Sequence, residues 1–249
     1  LEAAERLKKR SFEINDKGSG TNHVTTIDLE IQAFLQEQLG DLLPKAAFLG
    51  EESYDPAHKF TEELIWIVDP IDGTANFIRD MGLSVISVGL LYKGEPVVGV
   101  IYHPYRKEMF TAAKGQGAYL NGSPISVSDR PFDSSIFSTS LSLYNKKDAK
   151  ICFDILQHVY EACEDIRRLG AAALELAFLA CGRLELFFKI KLAPWDFVAG
   201  ELLIREAGGV VGTLPGHVMD RQMAIPLIAA NSQENYEKLM KIVEAAWKE

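Results

Sequence analysis

The stretch IVDPIDGTANF, Ile67–Phe77, sets two aspartates three positions apart, with a proline between them and Gly-Thr directly after. It continues the apolar run Leu64-Ile65-Trp66, so a chain built for burial meets two carboxylates at its end. Taken alone, Asp72-Gly73 reads as a turn, because Asp-Gly is a strong turn signal and strands commonly end in one. Whether Asp69 and Asp72 mark a turn or a site depends on what else the chain brings to strand ends.

Two further acidic groups share that context. Glu51-Glu52 follow the apolar AAFLG, and Asp196 stands in APWDFVAG. A solvated carboxylate at a strand end costs little, and Asp196 alone reads as a helix N-cap, since aspartate suits that place and a helix follows. Brought to one point, these groups would instead form a cage of hard oxygen ligands. Such a cage suits Mg²⁺, which keeps waters and completes its octahedron with substrate phosphate. Zinc is disfavoured, because His23, His58, His103, His158 and His217 are scattered and no histidine pair stands near these positions. Asp72-Gly73-Thr74 before a short helical TANFI adds backbone amides at a helix start, a ready anion site. Gly73 would let the backbone approach a phosphate, and the Thr74 hydroxyl could orient a water.

The surrounding chain predicts a layered α/β protein. Residues 1–13 read as a helix with a charged face, and Asn15–His23 as a polar, mobile loop. Ile31, Phe34, Leu35 and Leu39 follow helical spacing from Asp28 until just before Pro44. Between 83 and 120, LSVISVGLLY, EPVVGVIYH and EMFTAA form a meander of antiparallel strands, and KGQGAYLNG adds a hairpin. Beyond Asp129 the chain alternates: strand SIFSTS, helices Asp148–Cys163 and Ala171–Ala180, strand RLELFFKI, helix Asp196–Ala207 closed by Gly208-Gly209, strand IPLIAAN and a last helix, Gln233–Trp247. We expect one domain over 1–249, with halves near 1–128 (metal site and antiparallel sheet) and 129–249 (substrate contacts).

Bulk properties narrow the function. The chain has 249 residues, 47% hydrophobic and 24% charged, an ordinary globular composition with enough length for a sizeable core. A net charge of −9 argues against nucleic acid as the main partner, and it would repel anionic substrates unless bound cations reverse the sign locally. No run approaches the roughly 18 apolar residues of a membrane span. Three cysteines without a C-x-x-C pair point to reduced thiols and a cytoplasmic setting.

GEES at Gly50–Ser53, DPIDGTANF at Asp69–Phe77, PWDFVAGELLIREAGG at Pro194–Gly209 and VTTID at Val24–Asp28 together resemble, in order and spacing, the lithium-sensitive, magnesium-dependent inositol monophosphatase family. The resemblance spans essentially the whole chain. It implies a layered αβαβα sandwich of the inositol monophosphatase / fructose-1,6-bisphosphatase type, usually dimeric. It also implies roles: Glu51, Asp69 and the Ile71 carbonyl on a first Mg²⁺, and Asp69, Asp72 and Asp196 on a second. Glu51 and Thr74 would orient the attacking water, and Gly73 and Thr74 amides would bind phosphate. Asp28, with Glu52 through water, would support a weaker third ion. Lys17 falls in a loop mobile in relatives. These six carboxylates are a large part of the net −9 that bound Mg²⁺ would offset.

The same resemblance frames the substrate. Ala75-Asn76-Phe77 after Asp-Gly-Thr follows the inositol monophosphatase pattern, whereas relatives acting on 3′-phosphoadenosine nucleotides tend to carry Lys-Glu-Phe there. Gly170-Ala171-Ala172 matches a stretch that contacts the substrate ring. Lys189 is the departure: seven residues before Asp196, relatives commonly carry a glutamate that bonds sugar hydroxyls. Lys189 either points to solvent like Lys191, two residues on, or faces the pocket and favours a second anionic group. Three readings stand: a phosphomonoesterase on a small polyol or sugar monophosphate such as inositol 1-phosphate; the same chemistry on a sugar bisphosphate, NADP or adenosine bisphosphate; or a regulatory binding protein with secondary catalysis.

Overall fold

The computed structural model describes residues 1–7, 12–16, 23–139 and 146–247. Helix α1 (Glu2–Arg6) precedes a two-stranded hairpin, β1 (Ile14–Asp16) with β2 (His23–Thr25), and the long helix α2 (Thr26–Leu42). Strands β3 (Ala47–Gly50) and β4 (Leu64–Asp72) lead into a short helix α3 (Thr74–Ile78). Then come β5 (Val85–Tyr92), β6 (Glu95–His103), β7 (Glu108–Ala113), β8 (Ala118–Leu120) and β9 (Ser123–Ile125). The second half runs β10 (Ile136–Thr139), α4 (Ala149–Tyr160), β11 (Asp165–Arg167), α5 (Ala172–Ala180), β12 (Leu186–Leu192), α6 (Pro194–Glu206), β13 (Val210–Gly212), β14 (Ile225–Ala230) and α7 (Gln233–Trp247).

Seven strands form one sheet in chain order from β3 to β9, antiparallel except for the β3–β4 pair. Five form a mixed sheet ordered β11-β10-β12-β14-β13. Between the sheets lie α5 and α6, whose sequences AALELAFLA and PWDFVAGELLIRE have no broad polar face. A helix apolar all round must be covered on both sides, and here each side is a sheet. Alternate strand residues serve the two faces of each sheet. Ile65 and Ile67 join the central core while Trp66 and Val68 face the α2 side; Phe187 faces the centre while Leu186 and Phe188 pack under α4 and α7. The layers are thus helix, sheet, helix, sheet, helix.

Glycines set the spacing at the centre. Gly89 and Gly99 are paired across β5 and β6, and α6 rests on both. A methyl at Gly99 would stand 2.7 Å from the Ala199 carbonyl oxygen, and one at Gly89 2.7 Å from Val198. The helix therefore lies closer to the sheet than any side chain would allow.

Several local expectations change. The first helix ends at Arg6, and Phe12 and Glu13 lie outside any helix. Asn15, Asp16 and His23, expected in a loop, pair as strands: Asn15 opposite Val24 and Asp16 opposite His23. Lys17 lies outside the described residues. Edge strands β11 and β13 are three residues each, too short for an alternating pattern to show.

Candidate metal centre

Residues three apart on a regular strand point to opposite faces. On β4, Asp69 is paired with Ser87 and Asp72 with Val85, so three residues on one strand answer two on the other. This bulge, at Pro70-Ile71, reverses the alternation. Proline has no N–H to give a ladder and fits the irregular position. Ile71 turns outward to pack with Ile27 and Ile31, while Asp69 and Asp72 both face inward. The Asp69 Oδ1 atom accepts a hydrogen bond from the Ile71 amide at 2.9 Å, which holds the bulge.

Asp196 arrives from α6. Carboxylate oxygens of Asp69, Asp72 and Asp196 lie within 4.8 Å of one another. Asp196 is not the N-cap. Proline, whose missing N–H is harmless at the first helical position, starts the helix at Pro194, and Ala193 caps it. Asp196 is the third helical residue, and its Oδ2 reaches the Ala193 amide only at 3.4 Å. The Ser87 hydroxyl donates to the Trp195 carbonyl at 3.0 Å and fastens this helix start to β5.

Burial and repulsion mark the cluster electrically. Asp69 is 1% exposed, and its pKa is pushed well above the ordinary carboxylate value by burial first, then by Glu51, Asp72, Asp196 and Asp28. Asp72 is raised to about 8 by burial and by Asp196, against the opposing pull of Lys189. Carboxylates crowded this way are stabilised as anions only by nearby positive charge. The donors are all oxygen, with no histidine or cysteine among them, so the residues fit a hard cation such as Mg²⁺.

Glu51 opens a short 3₁₀ turn, Glu51–Ser53, directly after β3. Gly50 is paired with Val68 on β4, so Glu51, just past the end of β3, comes beside Asp69, the next residue on β4. Glu51 is the strongest charged neighbour acting on Asp69, although it lies outside the group of three within 4.8 Å. The Glu52 amide is held by Gln32 Oε1 at 2.9 Å.

Thr74 begins α3. Its hydroxyl lies 3.1 Å from the Ile71 carbonyl and 3.4 Å from Asp28 Oδ1, and its single proton serves one at a time. Asp28, 1% exposed, is fixed by a capping box: its Oδ2 accepts from the Thr25 amide at 2.7 Å and the Thr25 hydroxyl at 2.5 Å. That leaves Oδ1 facing Thr74. Gly73 has φ +87°, and a methyl there would meet Ala171 Cβ at 2.9 Å and the Leu83 carbonyl at 3.0 Å. Its glycine is thus required by a left-handed turn and by packing.

The Gly170-Ala171-Ala172 stretch reaches the site through backbone. Asp72 accepts hydrogen bonds from the amides of Ala172 (3.1 Å), Ala173 (2.7 Å) and Leu174 (3.4 Å), capping α5 from another sheet's strand. Asn76 donates to the Leu83 and Leu169 carbonyls at 3.0 and 2.8 Å and so ties this loop to the turn after β4. The Ala171 side chain is buried against the Gly73 position.

Lys189 does not follow Lys191 into solvent. Its ammonium lies 3.6 Å from Asp196 Oδ2 with the side chain 21% exposed, while Lys191 is exposed. A bulge explains the difference: Lys189 is paired with Leu227 and Leu192 with Ile225, so the alternation breaks right after Lys189. Sequence reasoning missed Glu175, fully buried in α5, whose Oε1 accepts from the Leu169 (2.7 Å) and Gly170 (3.2 Å) amides. Burial raises its pKa to about 7 in spite of those bonds and of Lys189. Its signal was present: one charge in a helix otherwise apolar all round.

Comparison with known proteins agrees with this geometry. The model of the inositol monophosphatase family matches residues 1–248. The chain is 40% identical over 207 residues to the Nus factor SuhB of Escherichia coli (83% of this chain, 77% of the relative). It is 33% identical over 234 residues to an inositol-1-monophosphatase of Synechocystis (94% and 80%). Among solved structures, the suppressor protein SuhB of Bartonella henselae superposes with TM-score 0.87 at 30% identity, covering 98% of this chain and 95% of that one. An IMPase/NADP phosphatase complexed with Mg²⁺ and phosphate gives TM-score 0.83 at 27% identity, covering 93% and 86%. With the carboxylates gathered where its motifs stand, this chain belongs to the inositol monophosphatase family.

Proposed function

We propose that this protein is a Mg²⁺-dependent phosphomonoesterase acting on a small polyol or sugar monophosphate such as inositol 1-phosphate. The observation that carries the reading is the cluster of buried Asp69 and Asp72 with half-buried Asp196, beside the Thr74–Asp28 pair. Glu51, Asp69 and the Ile71 carbonyl would hold one ion, and Asp69, Asp72 and Asp196 another; Asp28, with Glu52 through water, would support a weaker third. Bound there, Mg²⁺ supplies charge neutralisation for the phosphate and a more acidic water. The protein's own groups do the rest. With its proton directed to Asp28, the Thr74 hydroxyl can accept a hydrogen bond from a water shared with Glu51 and so orient it. Asp28 is kept in place for this by Thr25. The amides of Gly73 and Thr74, at the start of α3, are the groups proposed to bind phosphate, and Gly170–Ala172 the backbone facing the substrate ring. A homodimer in the cytoplasm, with small-molecule rather than nucleic-acid partners, completes the proposal.

A second reading keeps the chemistry but adds an anionic group to the substrate, as in a sugar bisphosphate or NADP. The Lys189 ammonium beside Asp196 favours it, and one structural neighbour is an IMPase/NADP phosphatase. A regulatory role is suggested by the relatives that are Nus factors. Phosphate release from a panel of monoesters and bisphosphates, with Mg²⁺ and with chelator, decides among them. Turnover best on inositol 1-phosphate supports the first reading, and best on a doubly anionic substrate the second. Intact Mg²⁺ binding without turnover on any panel member would sink both in favour of the regulatory role.

A further inference from the structure

Most buried polar clusters outside the metal centre are closed circuits. Glu201 is bonded to Arg205 at 3.0 Å and by two nitrogens of Arg221 at 2.7 and 2.8 Å. Glu185 is bonded to Ser128, Arg130 and the Ile136 amide. His103 is buried with neither ring nitrogen hydrogen-bonded, yet no group of potential ligands surrounds it among the described residues. An apolar cavity of about 360 Å³ between α1 and α3 has nothing to show what fills it. Lys189 is different, because its partner already has another use.

The ammonium of Lys189 stands 3.6 Å from Asp196 Oδ2, inside ion-pair range, and its field also reaches Asp72 and Glu175. The β12 bulge fixes the side chain on this face. A divalent ion bound by Asp72 and Asp196 would therefore have to share their charge with a resident cation and would be repelled by it. Glu51 is the charged neighbour that acts most strongly on Asp69, whereas the ion pair of Lys189 is with Asp196.

We propose that Lys189 is a positioning residue that competes with the ion held by Asp69, Asp72 and Asp196, weakening that ion while leaving the one at Glu51 and Asp69 nearly untouched. This rests on the magnesium site proposed above.

The test is a titration of metal-free protein with Mn²⁺, counting bound ions by electron paramagnetic resonance, with Mg²⁺ followed by calorimetry. Removing the charge in Lys189→Met should tighten the weaker class on the order of ten- to a hundredfold, the worth of one charged contact, and leave the tighter class within about threefold. Lys189→Gln should behave alike and guards against a packing defect in the first variant. Lys189→Arg should stay near wild type. Unchanged affinities in both neutral variants, or an equal shift of both classes, would overturn the proposal. If wild type and variants all bind no Mn²⁺, the metal reading itself falls, an outcome distinct from a site that binds but ignores Lys189.

Discussion

Strands β4 and β12 belong to different sheets, and each breaks its pleat where it meets the carboxylates. On β4 the extra residue falls between Asp69 and Asp72 and brings two like charges to one face. On β12 it falls just after Lys189 and separates two like charges, leaving one lysine inward and one in solvent. The same device thus gathers anions on one strand and sorts cations on the other. A bulge is a choice about which side chains share a face, and it acts on charges as readily as on apolar groups.

The comparison breaks most visibly on the β4 side. Asp72→Asn or Asp196→Asn should lower kcat/KM by about a hundred- to a thousandfold, the scale of losing one electrostatic stabiliser at a reacting phosphate. Wild-type turnover in both variants at saturating Mg²⁺ would remove the cluster from catalysis. Gly99→Ala tests what holds Asp196 in reach: the added methyl would meet backbone at 2.7 Å, and overpacking of this kind costs about 1–3 kcal/mol. Thermal unfolding should fall by about 2–4 °C per kcal/mol for a chain of this size, and kcat should drop with it. A variant as stable and active as wild type would show that α6 can shift freely.

Glu175 sharpens the comparison from the helix between the two strands. Its folded pKa of about 7 lies above the ordinary glutamate value because of burial. The folded protein then keeps a proton that the unfolded chain has released. Stability of the chelated protein should fall as pH rises from about 4.5 to about 7, by at most about 1.4 kcal/mol per pH unit from this group. Denaturant melts of wild type and Glu175→Gln across that window should diverge in slope. Parallel curves would mean that Glu175 titrates normally. The smallest effect belongs to the outward lysine. Lys191→Ala should change stability by less than about 0.5 kcal/mol and leave Mg²⁺ binding as in wild type; a shift in either would mean the β12 bulge does not separate the two lysines as described.

The site was legible wherever its chemistry is written as a local cluster. Asp69, Asp72, Glu51 and Asp196 stand out because carboxylates interrupt apolar runs, and the layered fold follows from strands and helices in both halves. What sequence could not supply was alternation across an irregularity. Counting by two from Lys189 puts Lys191 on the same face, and only the observed pairing shows the count failing. Taken alone, Asp196 reads as an N-cap because aspartate suits that place, but Pro194 starts the helix two residues earlier and Asp196 is its third residue. Glu175 was passed over because its helix reads as core, and the hydrogen bonds that make it tolerable come from a loop five and six residues earlier.

The glycine pair beneath α6 has one more consequence. Because Gly99 presents bare backbone to the backbone of Ala199, the gap between Asp196 and the β4 aspartates is gauged there by main chain against main chain. No rotamer can take up slack there. Substitutions on the outer helices can drift without altering the spacing of the carboxylates, while one methyl at position 99 would act as a shim and open the whole cluster from below.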